Sequence, residues 1–393
     1  MLKKFNYYLN IFFINILILY GSLYILEIGI NYKNDNLFKK TRLYYLNSSN
    51  KKNRNQKIYL NYGVYKLIDR QDSFLPLSGY ENSKILLCLD ENNKPVYYIS
   101  DKNGFNNKSY KKNDFLLIGD SYVQGMCINN KDNLNSQFKK FALKTASLGV
   151  GGNGPLIELA TFKEFKDDYE YKNIILFITP SNDFKDLKNE IKNKTLLNYL
   201  YIEDYKQNLN LKKEQKKIIL DTFFGNKTNR LLNDFLSVYH FNLKSVGNLI
   251  EKIFKNKQKS VIYPDYLTDI KIDNFFIRIL DEFININIKD DKKIYVVFNA
   301  VNPDILYPIN KKNQDLKNLL LDEKLNKLKK FLADKNIAFY DFNEYLLNNY
   351  NKKDINTMFK RINNHWDHYT EKGFFKIVEQ INKSYMLNFT RIY

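Results

Sequence analysis

The chain has 393 residues, with 62 Lys+Arg against 43 Asp+Glu, a formal net charge of +19, 44% hydrophobic residues and 27% charged residues. These fractions exclude a disordered, collagen-like or polytopic membrane chain, and the length accommodates two domains or one α/β domain with a large insertion. Two cysteines exclude a disulfide scaffold and a four-cysteine zinc site.

The basic excess is scattered. Its densest runs, Lys51–Arg54, Lys212–Lys217 and Lys255–Lys259, are short and not interleaved with stacking groups. Lys, Asn, Ile, Tyr and Phe are abundant along the whole chain, so the charge reads as compositional bias, and no nucleic-acid partner is expected.

A short tail, residues 1–7, precedes an almost unbroken apolar run at 8–30, interrupted by Asn10, Asn15 and Glu27. About 20 such residues cross the ~30 Å hydrocarbon slab, so 8–30 is expected to be an uncleaved single-pass transmembrane helix. With no second span, the tail is expected inside and the body outside the cytoplasm, although Lys33, Lys39, Lys40 and Arg42 after the span outnumber Lys3 and Lys4 before it. In that compartment Cys88 and Cys127 either form one disulfide or remain two small buried hydrophobes.

Residues 31–97 are a juxtamembrane and lead-in segment, ending in a mixture rich in Tyr and Leu; the turn signal Asp101–Asn107 follows. From there, apolar runs of strand length alternate with helical patterns. Phe115–Ile118, Thr145–Leu148, Ile174–Ile178, Ile294–Phe298 and Ile337–Tyr340 read as strands buried on both faces, and helices are expected near 135–143, 155–166, 312–334 and 371–383. The alternation predicts a three-layer α/β/α domain, a flavodoxin-like parallel sheet of about five strands, over 98–388. The stretch 184–290 breaks the rhythm, and its apolar spacing at 229–254 and 273–287 suggests an inserted helical subdomain.

The chemistry-bearing residues fall at the strand ends, where open α/β sheets place their ligands. Gly119-Asp120-Ser121 closes the first run. A serine there reads first as a helix N-cap, or else sets its hydroxyl and N–H at the positive end of a helix, where an oxyanion is stabilised. Four of the chain's 14 glycines lie in Ser147–Pro155, after the second run. No Gly-Lys-Ser/Thr makes that loop a phosphate cradle. The third run ends in Ser181-Asn182-Asp183, where the asparagine amide is a turn former or an oxyanion donor. Two of the three histidines, His365 and His368, lie in Asn363–Phe374, read as a loop before the last helix.

Taken in order, these segments resemble the SGNH, or GDSL-type, hydrolase family over roughly 98–388. The lead-in Tyr98–Phe105 is similar to the family's membrane-anchored bacterial branch. The resemblance implies Ser121 as nucleophile and an oxyanion hole of the Ser121 and Gly152 backbone N–H groups with the Asn182 side chain. It implies His368 as base, because Gly373 stands five positions on; His365 is the alternative base. The family's Asp three positions before the histidine is His365 here, so Asp367 is the candidate acid, with Asn364 or a backbone carbonyl as substitutes.

The implied activity is that of a serine esterase or O-acyltransferase on acyl esters, first among them those of cell-envelope carbohydrate, with no metal or organic cofactor. An inactive glycan-binding protein of the same fold is the alternative, and a tethered polyanion-binding module a third reading.

Overall fold

The computed structural model describes residues 11–26, 57–61, 63–68, 74–90, 94–107, 111–222, 269–300, 303, 311–362 and 365–390. The chain divides into two compact units, Met1–Ser48 with Asp221–Ile262, and Ser49–Leu220 with Tyr263–Tyr393.

In the first unit, residues 11–26 are helical, and Ile11, Phe12, Phe13, Leu17, Ile18, Leu19 and Ile25 are exposed. The remainder of the expected span, 8–10 and 27–30, lies outside the described residues. Among the described residues no helix is long and apolar enough to cross a membrane. The transmembrane helix expected at 8–30 is therefore not among the described elements. The apolar spacing at 229–254 also lies outside them.

The second unit opens with a small sheet that the sequence did not delineate. β1 (Ile58–Leu60) pairs in parallel with β2 (Lys84–Leu89), which pairs antiparallel with β3 (Pro95–Ile99). Cys88 of β2 is disulfide-bonded to Cys127, with Cα atoms 5.4 Å apart, which resolves the choice left open for that pair.

The main sheet follows: β4 (Lys112–Ile118), β5 (Thr145–Ser147), β6 (Glu170–Ile178), β7 (Lys293–Phe298) and β8 (Ala338–Asp341), in spatial order β5-β4-β6-β7-β8 and parallel throughout. This is the flavodoxin-like order, which reverses between β4 and β6 and opens a crevice at their C-terminal ends. Successive strand side chains point to opposite faces. Phe115, Leu117, Ile175, Phe177 and Val297 share one buried cluster with Phe138 of helix Leu134–Lys140 and with Ile377 and Val378 of helix Glu371–Thr390.

The alternate residues Leu116, Ile118, Ile174, Leu176 and Val296 are also buried, so the opposite face is covered as well. On that side Phe162 of helix Pro155–Phe165 packs 5.4 Å from Phe283 of helix Ile270–Lys289, and Phe276 of the same helix lies 5.0 Å from Phe184 of helix Asp183–Glu190. Three layers result. The segment expected as an inserted subdomain thus supplies part of the covering layer through Asp183–Glu190, Lys194–Tyr201 and Ile270–Lys289.

The histidine segment, expected as a loop, is a strand. β9 (Phe359–Ile362) and β10 (His365–Tyr369) form an antiparallel pair with a register shift between Trp366 and Tyr369. Its polar sequence hides it: a two-stranded ribbon outside the main sheet needs no continuous apolar run.

Candidate active site

β4 is buried from Phe115 to Ile118, then turns at Gly119 into the short helix Ser121–Gln124. Asp120 caps that helix, its Oδ1 accepting the Tyr122 N–H at 3.0 Å. Gly125, at φ 77°, ends the helix with its N–H on Tyr122 O. One turn thereby presents Ser121 at the C-terminal edge of the sheet, at the β4/β6 switch point.

β10 brings the imidazole to it. Tyr369 is fully buried among Tyr122, Phe342, Phe359 and Phe374, and its hydroxyl accepts the Ala300 N–H at 2.7 Å, just past the end of β7. The Tyr122 ring lies 4.8 Å from that of His368. Gly373 is required by close approach: a Cβ there would stand 2.4 Å from Met358 O and 2.9 Å from Tyr369 Cβ. Held this way, His368 Nε2 lies 2.6 Å from Ser121 Oγ.

His365 and Asp367 occupy the same strand, but their side chains lie outside the described residues, as does the whole of Asn364.

The glycine loop leaves β5 and runs along the nucleophile helix. Gly152 has φ 80°, a left-handed conformation that side-chain-bearing residues rarely adopt. Among the described residues no hydrogen bond engages the N–H of Ser121 or of Gly152, whereas the Gly151 N–H donates to Gln124 Oε1 at 2.9 Å. Two backbone donors are therefore open, the Ser121 N–H itself and the Gly152 N–H, the latter one residue beyond Gly151, on which a Cβ would lie 3.5 Å from Ser121 Cβ.

Asn182, at the end of β6, reaches the same corner. Its Nδ2 donates to Asp120 Oδ2 at 3.1 Å and to Asp186 Oδ2 at 3.2 Å. Both amide hydrogens thus face carboxylates, and the amide meets an oxyanion only by exchanging one of them.

Behind these groups lies a set of carboxyls the sequence reading did not find. Asp120, Glu158, Asp183 and Glu190 are buried, and Asp186 is partly buried. Burial pushes the Asp120 carboxyl up, against the Tyr122 N–H, the Asn182 amide and the His368 charge, which favour its ionised form. Burial and then the neighbouring Asp183 push Glu158 well up; burial and then Asp120 do the same to Asp183. Asp186 is pushed to about 6 by burial and Asp120, and Glu190 to about 8 by burial and Asp186, against the N–H groups of Gly154, Leu156 and Ile157. No local pattern announces this nest, because its members come from three separate strand ends and helices.

The turn Asp101–Asn107 acts as a support. Asp101 Oδ1 accepts the N–H groups of Asn103, Gly104 and Phe105, each at 2.9 Å. Asn106 Nδ2 donates to Gln124 O, and the Asn107 side chain pairs with the backbone of Ser147 at the end of β5. The turn thus ties the nucleophile helix to the strand that precedes the glycine loop.

The site is thus a serine hydroxyl on an imidazole at the switch point, with a glycine loop and an asparagine on either side. The fold is a three-layer α/β/α domain on a parallel five-stranded sheet of flavodoxin-like order. No protein-family model and no curated protein sequence matches the chain. Among solved structures the chain is similar to a putative lipolytic protein of the G-D-S-L family from Desulfitobacterium hafniense, at 10% identity and TM-score 0.36, over 70% of this chain and 99% of that one. It is also similar to an acetyl xylan esterase, at 12% identity and TM-score 0.33, over 70% of this chain and 98% of that one. Likenesses this remote carry no weight for family, substrate or mechanism, so the site is read from its own geometry.

Proposed function

We propose that the chain is a serine ester hydrolase working through an acyl-enzyme on Ser121. The observation that carries this reading is the 2.6 Å contact between Ser121 Oγ and His368 Nε2 at the mouth of the sheet. With its proton on Nδ1, the imidazole accepts the Ser121 O–H at Nε2 and takes the proton as Oγ attacks the ester carbonyl. The carbonyl π pair moves to oxygen, which turns toward the N–H groups of Ser121 and Gly152 and toward the Asn182 amide once it leaves a carboxylate. Each such donor lowers the barrier by about 3 kcal/mol. His368 then returns the proton to the departing alcohol, and water, or an acceptor hydroxyl, repeats the steps in reverse to free Ser121. Water gives an esterase and a sugar hydroxyl an O-acyltransferase; Asp367 is assigned as the group orienting His368.

The proposed substrates are acyl esters of cell-envelope carbohydrate, and the proposed location is extracytoplasmic behind an anchor at 8–30. Support for the location comes from the apolar run itself, the exposed apolar residues of 11–26 and the Cys88–Cys127 disulfide, a bond that persists in oxidising compartments.

The test is hydrolysis of p-nitrophenyl acetate and of an O-acetylated polysaccharide by the wild type, Ser121→Ala and His368→Ala. Turnover by the wild type and its loss in both variants supports the reading. Polysaccharide binding without turnover favours the inactive glycan-binding protein instead.

A further inference from the structure

The lead-in segment has no part in the chemistry above, yet it lies against the glycine loop. Asn61, just past β1, exchanges two hydrogen bonds with Gln124 on the nucleophile helix: Gln124 Nε2 donates to Asn61 Oδ1 at 2.7 Å, and Asn61 Nδ2 donates to Gln124 Oε1 at 3.2 Å. A Cβ on Gly63 would come within 2.9 Å of Gly151 O, so the two backbones are in direct contact.

Two residues on, the Tyr65 ring covers Gly152. A Cβ built on Gly152 would stand 2.4 Å from Tyr65 Cδ1 and 2.5 Å from Cε1. The loop beneath is itself against the nucleophile, since a Cβ on Gly151 would lie 3.5 Å from Ser121 Cβ. Val64 and Leu67 of the same turn are buried and pin it, while Tyr65 is 45% exposed. The ring is therefore fixed at its base, open to solvent, and placed beside one of the two open backbone donors.

We propose that Tyr65 is a specificity-determining residue of this site, the wall against which the alcohol part of the ester packs, favouring esters of a sugar ring over those of a small alcohol. The inference rests on the esterase reading of Ser121. The acyl carbon is bonded to Ser121 Oγ and its oxygen turns to the donors, so a short acyl group reaches little beyond them. The group that extends to the rim, where a half-exposed ring meets it, is the alcohol. A tyrosine presents a rigid apolar face with a wet hydroxyl at its edge, at low entropic cost. That suits a partner with apolar C–H faces and a polar rim, as a pyranose has.

The test compares wild type, Tyr65→Phe and Tyr65→Ala on an O-acetylated hexose oligosaccharide, ethyl acetate and ethyl hexanoate, with fluorophosphonate labelling of Ser121 in each. Tyr65→Ala is expected to lower kcat/KM for the oligosaccharide by about tenfold, mostly through KM, as loss of uniform binding does. It should leave ethyl acetate within about twofold, and Tyr65→Phe should keep the oligosaccharide activity. Equal losses on oligosaccharide and ethyl acetate, or no loss on the oligosaccharide, overturn the proposal. A change confined to ethyl hexanoate against ethyl acetate also overturns it, because it puts the ring on the acyl side. Labelling of Ser121 in Tyr65→Ala at the wild-type rate shows the chemistry intact; an unlabelled wild type sinks the esterase reading, and this proposal with it.

Discussion

Replacing Asp186 with Asn should flatten the pH dependence of stability. In the folded chain the Asp186 carboxyl is pushed from an ordinary 3.8 to about 6, first by burial and then by Asp120, while the Asn182 amide works the other way. Folding therefore favours its protonated form. The contribution is fully present below 3.8 and is lost as pH rises through about 6, because the unfolded chain then releases a proton that the folded chain retains. Integrated between pH 4 and pH 8, a shift of that size removes about 2 kcal/mol of stability. Glu158, Asp183 and Glu190 move in the same direction and add to the loss.

Urea unfolding at the two pH values, in wild type and Asp186→Asn, measures the difference, and the comparison cancels carboxylates elsewhere whose shifts run oppositely, such as Asp114 and Asp167. The Asn side chain can still accept from Asn182, so the hydrogen bond survives the change. The expected result is a wild type less stable at pH 8 and a variant in which about 2 kcal/mol of that loss is absent. A variant with the same pH dependence as the wild type, or one less stable at pH 8, refutes the reasoning.

Three further outcomes are expected. Reducing Cys88–Cys127, which closes a separation of 39 residues, should cost about 4 kcal/mol in the chain-entropy picture, read as a drop in the urea midpoint. Gln124→Met takes the acceptor from Asn61 Nδ2 and the Gly151 N–H, so kcat for p-nitrophenyl acetate should fall on the order of tenfold or more with KM little changed, as expected when an oxyanion donor is misplaced. Asp367→Asn should lower kcat by on the order of 100-fold while His365→Ala leaves it near wild type, and the reverse ranking would give the orienting role to the His365 position.

The main sheet was legible because its inner strands are buried on both faces; the edge strand β8, expected to be buried likewise, has Ala338 and Phe339 exposed. Ile174–Ile178 and Phe115–Ile118 are continuous apolar runs, and they are the middle of the sheet. β1 and β3 were not, since Tyr97 and Tyr98 read as well in a loop, and β2 was passed over although Ile85–Leu89 is an apolar run. Ser121 and His368 were legible through the glycine spacing around them, and Gly373 has a steric reason to stand where it does. The supports were not. Asn61 and Gln124 pair across 63 residues, and the pairing leaves no trace in either local pattern. Glu158 and Glu190 looked like ordinary polar helix positions, because only the meeting of β4, β6 and helix Pro155–Phe165 buries them together.

The measurement that bears most directly on the site is the mass of a fluorophosphonate-treated chain, with the adduct located by peptide fragmentation. The predicted result is one phosphonyl group on Ser121, absent in Ser121→Ala and formed far more slowly in His368→Ala. An unmodified wild type, or an adduct on any other residue, would contradict a serine nucleophile at the end of β4.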